Sequence, residues 1–79
     1  MKVIEYVHIS EYDENWKFLK TEQVIHRTNC KSKKEAKQCL RSKRYARWRS
    51  DDEFYYKRDM MVLSDGHKLM WFYEATLGT

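Results

Sequence analysis

The 79-residue chain has no proline, two glycines, two cysteines and no long apolar run. Absence of proline, with 15% aromatic side chains, argues for a packed fold and against a disordered basic tail. Gly66 and Gly78 stand alone, so no glycine-rich loop exists to cradle a phosphate. That excludes nucleotide-hydrolysing and dinucleotide-dependent enzymes. Cys30 and Cys39 permit one disulfide at most, which is weak support for an oxidising compartment. With His26 they offer three zinc ligands within fourteen positions, but without a Cys-x-x-Cys pair. His26 falls in a predicted strand and Cys39 on an apolar helical stripe, where a small buried hydrophobe is the better account. No metal or cofactor is expected.

No stretch approaches the roughly 20 apolar residues that span a bilayer. Met1 to Ser10 alternates instead of forming the apolar block of a signal peptide. The expectation is a soluble, cytoplasmic domain with no membrane contact. At this size it buries only about 60% of the surface its unfolded chain exposes.

What the chain does have is polarised charge. Lys31 to Arg49 carries nine basic residues against one acid, Glu35, a local charge of +8 inside a net +4. Ser32-Lys33-Lys34-Glu35 fits a capping box, and no glycine or proline interrupts the chain from there to Asp51, so the sequence predicts a basic helix over 32–49. At 100° per residue Ala36, Cys39, Leu40 and Ala46 share a narrow apolar stripe. Lys34, Lys37, Arg41, Arg44, Tyr45 and Trp48 fall opposite. Lys43 is the misfit, inside the stripe, with Arg47 near its edge. Either their stems snorkel past the core, or the helix ends near Arg44 and the tail turns.

Around this helix the sequence predicts two hairpins. Lys2–Ser10 alternates with Val3, Val7 and Ile9 on one face and Ile4, Tyr6 and His8 on the other. Glu11–Asn15 reads as the loop and Trp16–Arg27 as the returning strand, with a bulge near Lys20–Gln23. Asp51-Asp52-Glu53 marks a break where acids neutralise nearby arginines or the chain leaves the helix. Phe54–Ser64 and His67–Ala75 flank Asp65-Gly66, a dipeptide suited to a type I′ turn. That turn sets Val62 opposite Leu69, Met60 opposite Trp71, Arg58 opposite Tyr73, Met61 opposite Met70 and Asp59 opposite Phe72. The fold class is α+β, ββαββ, a single domain over 1–79 with its hairpins at 2–27 and 54–75. The helix packs across one face of an antiparallel sheet, and the open face carries residues such as Tyr6, Tyr55, Trp71 or Tyr73. Homodimerisation through that face is one expectation.

Function follows from the charge. A Lys/Arg run is most often a solvated face, but its i,i+4 partners are then acidic. Here Lys33/Lys37, Lys37/Arg41 and Lys43/Arg47 are like-charge pairs. A nucleic-acid-binding module is therefore expected, with Lys33, Lys34, Lys37, Arg41, Arg44 and Arg47 on phosphates and Tyr45 and Trp48 stacking on bases. RNA or single-stranded DNA is favoured slightly, because the helix is poorly equipped to read base edges. No RNP-type aromatic signature is present, and the element order does not match a double-stranded-RNA domain or a helix-turn-helix. In size and polarity the chain is similar to short phage proteins directed at their hosts. The alternative is thus a small phage-type inhibitor docking on an acidic surface of a host or defence protein, through the basic helix or the aromatic sheet face. His8, His26 and His67 with Glu5 and Glu22 are the groups a nuclease would use, but nothing in the sequence brings two histidines together, and no enzyme is expected.

Overall fold

Residues 1–49 and 51–78 are described by a computed structural model, with every side chain in them except those of Asp51 and Asp52. The expected role of those two acids lies outside the described residues. Strands β1 (Lys2–Tyr12) and β2 (Phe18–Asn29) precede α1 (Lys33–Ser42), and β3 (Ala46–Trp48), β4 (Asp51–Val62) and β5 (Lys68–Gly78) follow it. All strand pairs are antiparallel in one open sheet of order β2-β1-β5-β4-β3. The α+β class and the antiparallel sheet hold. The element order is ββαβββ, with five strands among the described residues and not the four expected.

The extra strand exists because the helix stops early. It starts as the capping sequence predicts, with the Glu35 N–H donating to Ser32 Oγ at 3.2 Å. It covers Lys33–Ser42 and not 32–49. Arg44 takes φ +65°, its N–H donates to the Arg41 carbonyl at 3.0 Å, and the Tyr45 N–H donates to the Leu40 carbonyl at 3.1 Å. Those two bonds make a Schellman motif, and Leu40 and Tyr45 meet in the core as its hydrophobic contact. The usual signal for this stop is glycine at the left-handed position. Arginine stands there instead, which is why the sequence reads as continuous helix.

The second hairpin is displaced from the expected register by one residue. The Gly66 N–H donates to the Leu63 carbonyl at 2.9 Å and the Leu63 N–H to the His67 carbonyl at 2.8 Å, with Gly66 at φ +87°. This is a three-residue loop, a tight turn followed by a left-handed glycine, not a two-residue turn centred on Asp65-Gly66. Val62 therefore faces Lys68, Met61 faces Leu69, Met60 faces Met70, Asp59 faces Trp71 and Arg58 faces Phe72. A slip of one residue reverses which side chains share a face. Tyr55, Trp71 and Tyr73 consequently lie on the helix side, and of the expected open-face residues Tyr6 alone is there.

The first hairpin uses the same loop. The Asp13 N–H donates to the Lys17 carbonyl at 2.9 Å and the Trp16 N–H to the Asp13 carbonyl at 3.1 Å, with Trp16 at φ +66° where the second loop has Gly66. The loop is thus centred on Glu14–Trp16, and Trp16 is not in a strand. The irregularity falls between Glu11 and Tyr12, whose partners Lys20 and Phe18 leave Leu19 as the extra residue; the expected position was Lys20–Gln23. Both tips lie at one end of the molecule, where the Lys68 ammonium donates to the Glu14 carbonyl at 3.0 Å.

The core occupies the other end. Val3, Ala36, Leu40, Tyr45, Tyr55, Ala75 and Leu77 form one buried cluster, with Cys30 and Tyr73 packed against it. Burying Leu40 fully stabilises by about 1.5–3 kcal/mol. A ten-residue helix covers only part of one face of a molecule 44 Å long, and the rest of the sheet is bare.

Candidate functional site

The basic residues form a surface that wraps from α1 onto β3. Lys33, Lys34, Lys37, Gln38 and Arg41 line a shallow depression of about 380 Å³ along the outer side of the helix. It runs on into a second of about 260 Å³, where Lys37 and Arg41 meet Arg47 of β3 above Tyr45 and Tyr55. Lys33 is paired with Glu53 at 3.3 Å. Lys34, Arg41, Arg44 and Arg47 make no ion pair among the described residues. Of the expected site residues, the structure brings together Lys33, Lys34, Lys37, Arg41 and Arg47, and leaves Arg44 exposed on the turn beside them.

The two rings expected among these cations are elsewhere. Tyr45 is 8% exposed, and its ring belongs to the core. Burial first, then the charge and hydrogen bond of Glu5, push its phenol far above the usual tyrosine range. Trp48 follows Arg47 on a strand, where neighbouring side chains point to opposite faces. Its ring lies on the open face, edge-on to Phe54 at 5.7 Å and Tyr56 at 5.5 Å.

Beneath the C-terminal end of the helix lies an ion pair the sequence reading missed. Glu5 is 6% exposed, and Lys43 Nζ donates to both its oxygens at 3.0 and 3.2 Å. Lys57 Nζ donates to the Lys43 carbonyl at 3.0 Å and sits 4.8 and 4.5 Å from the ring centres of Tyr45 and Tyr73. With His26, Val24, Val7, Ile9 and Trp71 these residues line a cleft of about 300 Å³. The signal was present: Glu5 interrupts an apolar strand face, and Lys43 interrupts an apolar helix stripe. Two misfits of opposite sign satisfy each other.

The open face of the sheet carries Ile4, Tyr6, His8 and Tyr12 of β1 and Phe18 and Ile25 of β2. Met70 and Phe72 of β5, Phe54, Tyr56, Met60 and Val62 of β4, and Trp48 of β3 complete it. Phe18, Trp48, Met60 and Val62 are each about half exposed, at 54%, 48%, 50% and 59%. The three histidines are dispersed. His8 packs on Phe72 with 6.4 Å between ring centres, His26 lies opposite Glu5, and His67 sits at the hairpin tips, with Nδ1 3.2 Å from Glu11. Cys30 and Cys39 are free thiols, and no cluster of three His, Cys, Asp or Glu side chains suited to a metal occurs among the described residues. No helix among them is long and apolar enough to cross a membrane. No protein-family model, curated protein or solved structure matches this chain.

Proposed function

We propose that this protein binds nucleic acid through the phosphate backbone, using the basic surface of α1 and β3. The observation that carries the reading is the set Lys34, Arg41, Arg44 and Arg47, four exposed cations without an acid partner among the described residues, beside two adjoining depressions. Cations held together against their own repulsion are stabilised by a polyanion, whose bound counterions are released to solution. Among the described residues this surface presents no exposed ring, since Tyr45 and Tyr55 beneath it are buried and Trp48 faces the other way. Its contacts are therefore with phosphates and carry no sequence information.

Arg41→Glu with Arg44→Glu tests this. Binding of labelled RNA at low salt should be lost, while the circular dichroism spectrum stays native and the thermal midpoint holds or rises as repulsion falls. Unchanged binding by the folded double variant would remove this surface from the function.

A protein-binding inhibitor is the second reading, and one observation favours it. Met60, Met61 and Val62 are consecutive and half exposed on β4, beyond Tyr56, where β3 no longer pairs with that strand. An apolar run on a bare sheet edge is a template for a partner's strand. Under this reading Met61→Lys abolishes capture of the partner and the arginine reversal does not.

A further inference from the structure

We infer that the open face of the sheet is a stacking platform for the bases of single-stranded nucleic acid, reached over the β3 edge from the basic surface. The inference rests on the nucleic-acid reading above and adds to it a second surface and the strandedness of the ligand.

Register and alternation put the rings in a diagonal course across four strands. Trp48 on β3 touches Tyr56 on β4; Phe72 follows on β5, and His8 stands directly opposite it on β1. Successive strands lie about 4.8 Å apart, and the step from Tyr56 to Phe72 is diagonal, about 7–8 Å, because Tyr56 faces Glu74 and Phe72 faces Arg58. Bases inside a duplex are stacked on each other and offer no face to such rings. Unstacked bases of a single strand do.

Charge selects the occupant. Among the described residues the open face carries Lys2, Arg27, Arg58 and Lys68 against one carboxylate, Glu74. A second copy laid on this face would bring the four cations of each copy together with Glu74 as the one carboxylate per copy among the described residues. A polyanion meets no such repulsion. Arg58 stands beside Phe72 in register, a cation next to a ring, which is the pairing that a base and its phosphate require.

Continuity comes from two neighbouring residues. Arg47 opens toward Lys37 and Arg41 on the helix side, and Trp48 opens toward Phe54 and Tyr56 on the other. Because β3 is the outermost strand and three residues long, a chain passes from one surface to the other around a single short edge.

The test compares a labelled single-stranded oligouridine of about 12 nucleotides with a duplex of equal length. Tyr56→Leu with Phe72→Leu should weaken single-strand binding about tenfold or more, and leave duplex affinity and the salt slope unchanged. If this variant binds the single strand as the wild type does while the arginine reversal abolishes binding, the platform is wrong and the phosphate reading stands. Wild-type preference for the duplex also overturns the platform. If neither oligonucleotide binds at low salt, both readings fall. A dimer in sedimentation that the ring variant dissociates would make the face a self-interface and overturn the inference. Should the ring variant misfold, Trp16→Phe with Trp71→Phe leaves Trp48 as the sole indole. Saturable quenching of its fluorescence by oligouridine is the expected result, and no quenching at saturating ligand overturns the platform.

Discussion

The two ends of this sheet are built on different terms. At one end α1 seals Val3, Tyr55, Ala75 and Leu77 beneath Ala36 and Leu40. At the other, the same strands continue past the helix, and Met60, Met61 and Val62 stay half exposed while two hairpin tips hold each other through polar contacts. Stability is concentrated at the covered end, and the bare end is held by backbone pairing and its loops. In a small domain with little core to spare, that division leaves long stretches of surface free to meet a partner.

Substitutions that treat the two ends alike should expose the difference. Leu40→Ala removes a fully buried side chain and should cost about 2–5 kcal/mol, whereas Met61→Ala should stay within about 0.5 kcal/mol. Urea midpoints measure both, and equal losses would mean the bare end is covered in solution. A smaller effect separates the two hairpin tips. Gly66→Ala places a Cβ at φ +87° and 3.2 Å from Glu14 Cβ, and should cost about 1–2 kcal/mol. Trp16→Gly relieves a left-handed residue but loses its ring contacts with Tyr12 and Lys68, and its thermal midpoint should change little.

The smallest effect is in pH. The hydrogen bond that His67 donates to the Glu11 carboxylate, helped by the charges of Asp65, Glu11 and Glu14, raises the imidazole above its usual value against some desolvation; Lys68 and Asp13 also lie at these tips. A raised imidazole stabilises fully below the unfolded value of about 6.5 and loses that contribution as pH climbs through the folded one. The thermal midpoint should therefore fall slightly from about pH 6 to about pH 8, and His67→Gln should flatten that fall. A midpoint independent of pH in the wild type would show the tips are not joined through this residue.

Much of the covered end was legible in the sequence. The alternation of Val3, Val7 and Ile9 against Ile4, Tyr6 and His8 gives the two faces of β1, and Ser32 with Glu35 gives the start of α1. The misreadings share one cause. Arg44 and Trp16 occupy left-handed positions that glycine would advertise, and Asp65-Gly66 suits two loop lengths whose registers differ by one residue. The turn at Arg44 and the longer loop at Asp65-Gly66 each put side chains on the face opposite to the expected one. The candidate site suffered most from the first of these. Lys33, Lys34, Lys37, Arg41 and Arg47 do converge, but ending the helix at Ser42 buries Tyr45 and sends Trp48 around the edge.

Binding of single-stranded RNA across a salt series tests the phosphate contacts most directly. With four or five cations neutralising phosphates together, the logarithm of the binding constant should fall against the logarithm of salt with a slope near or steeper than about −3. A flat dependence, or no binding at low salt, would contradict the nucleic-acid reading and leave the bare edge of β4 as the surface to pursue.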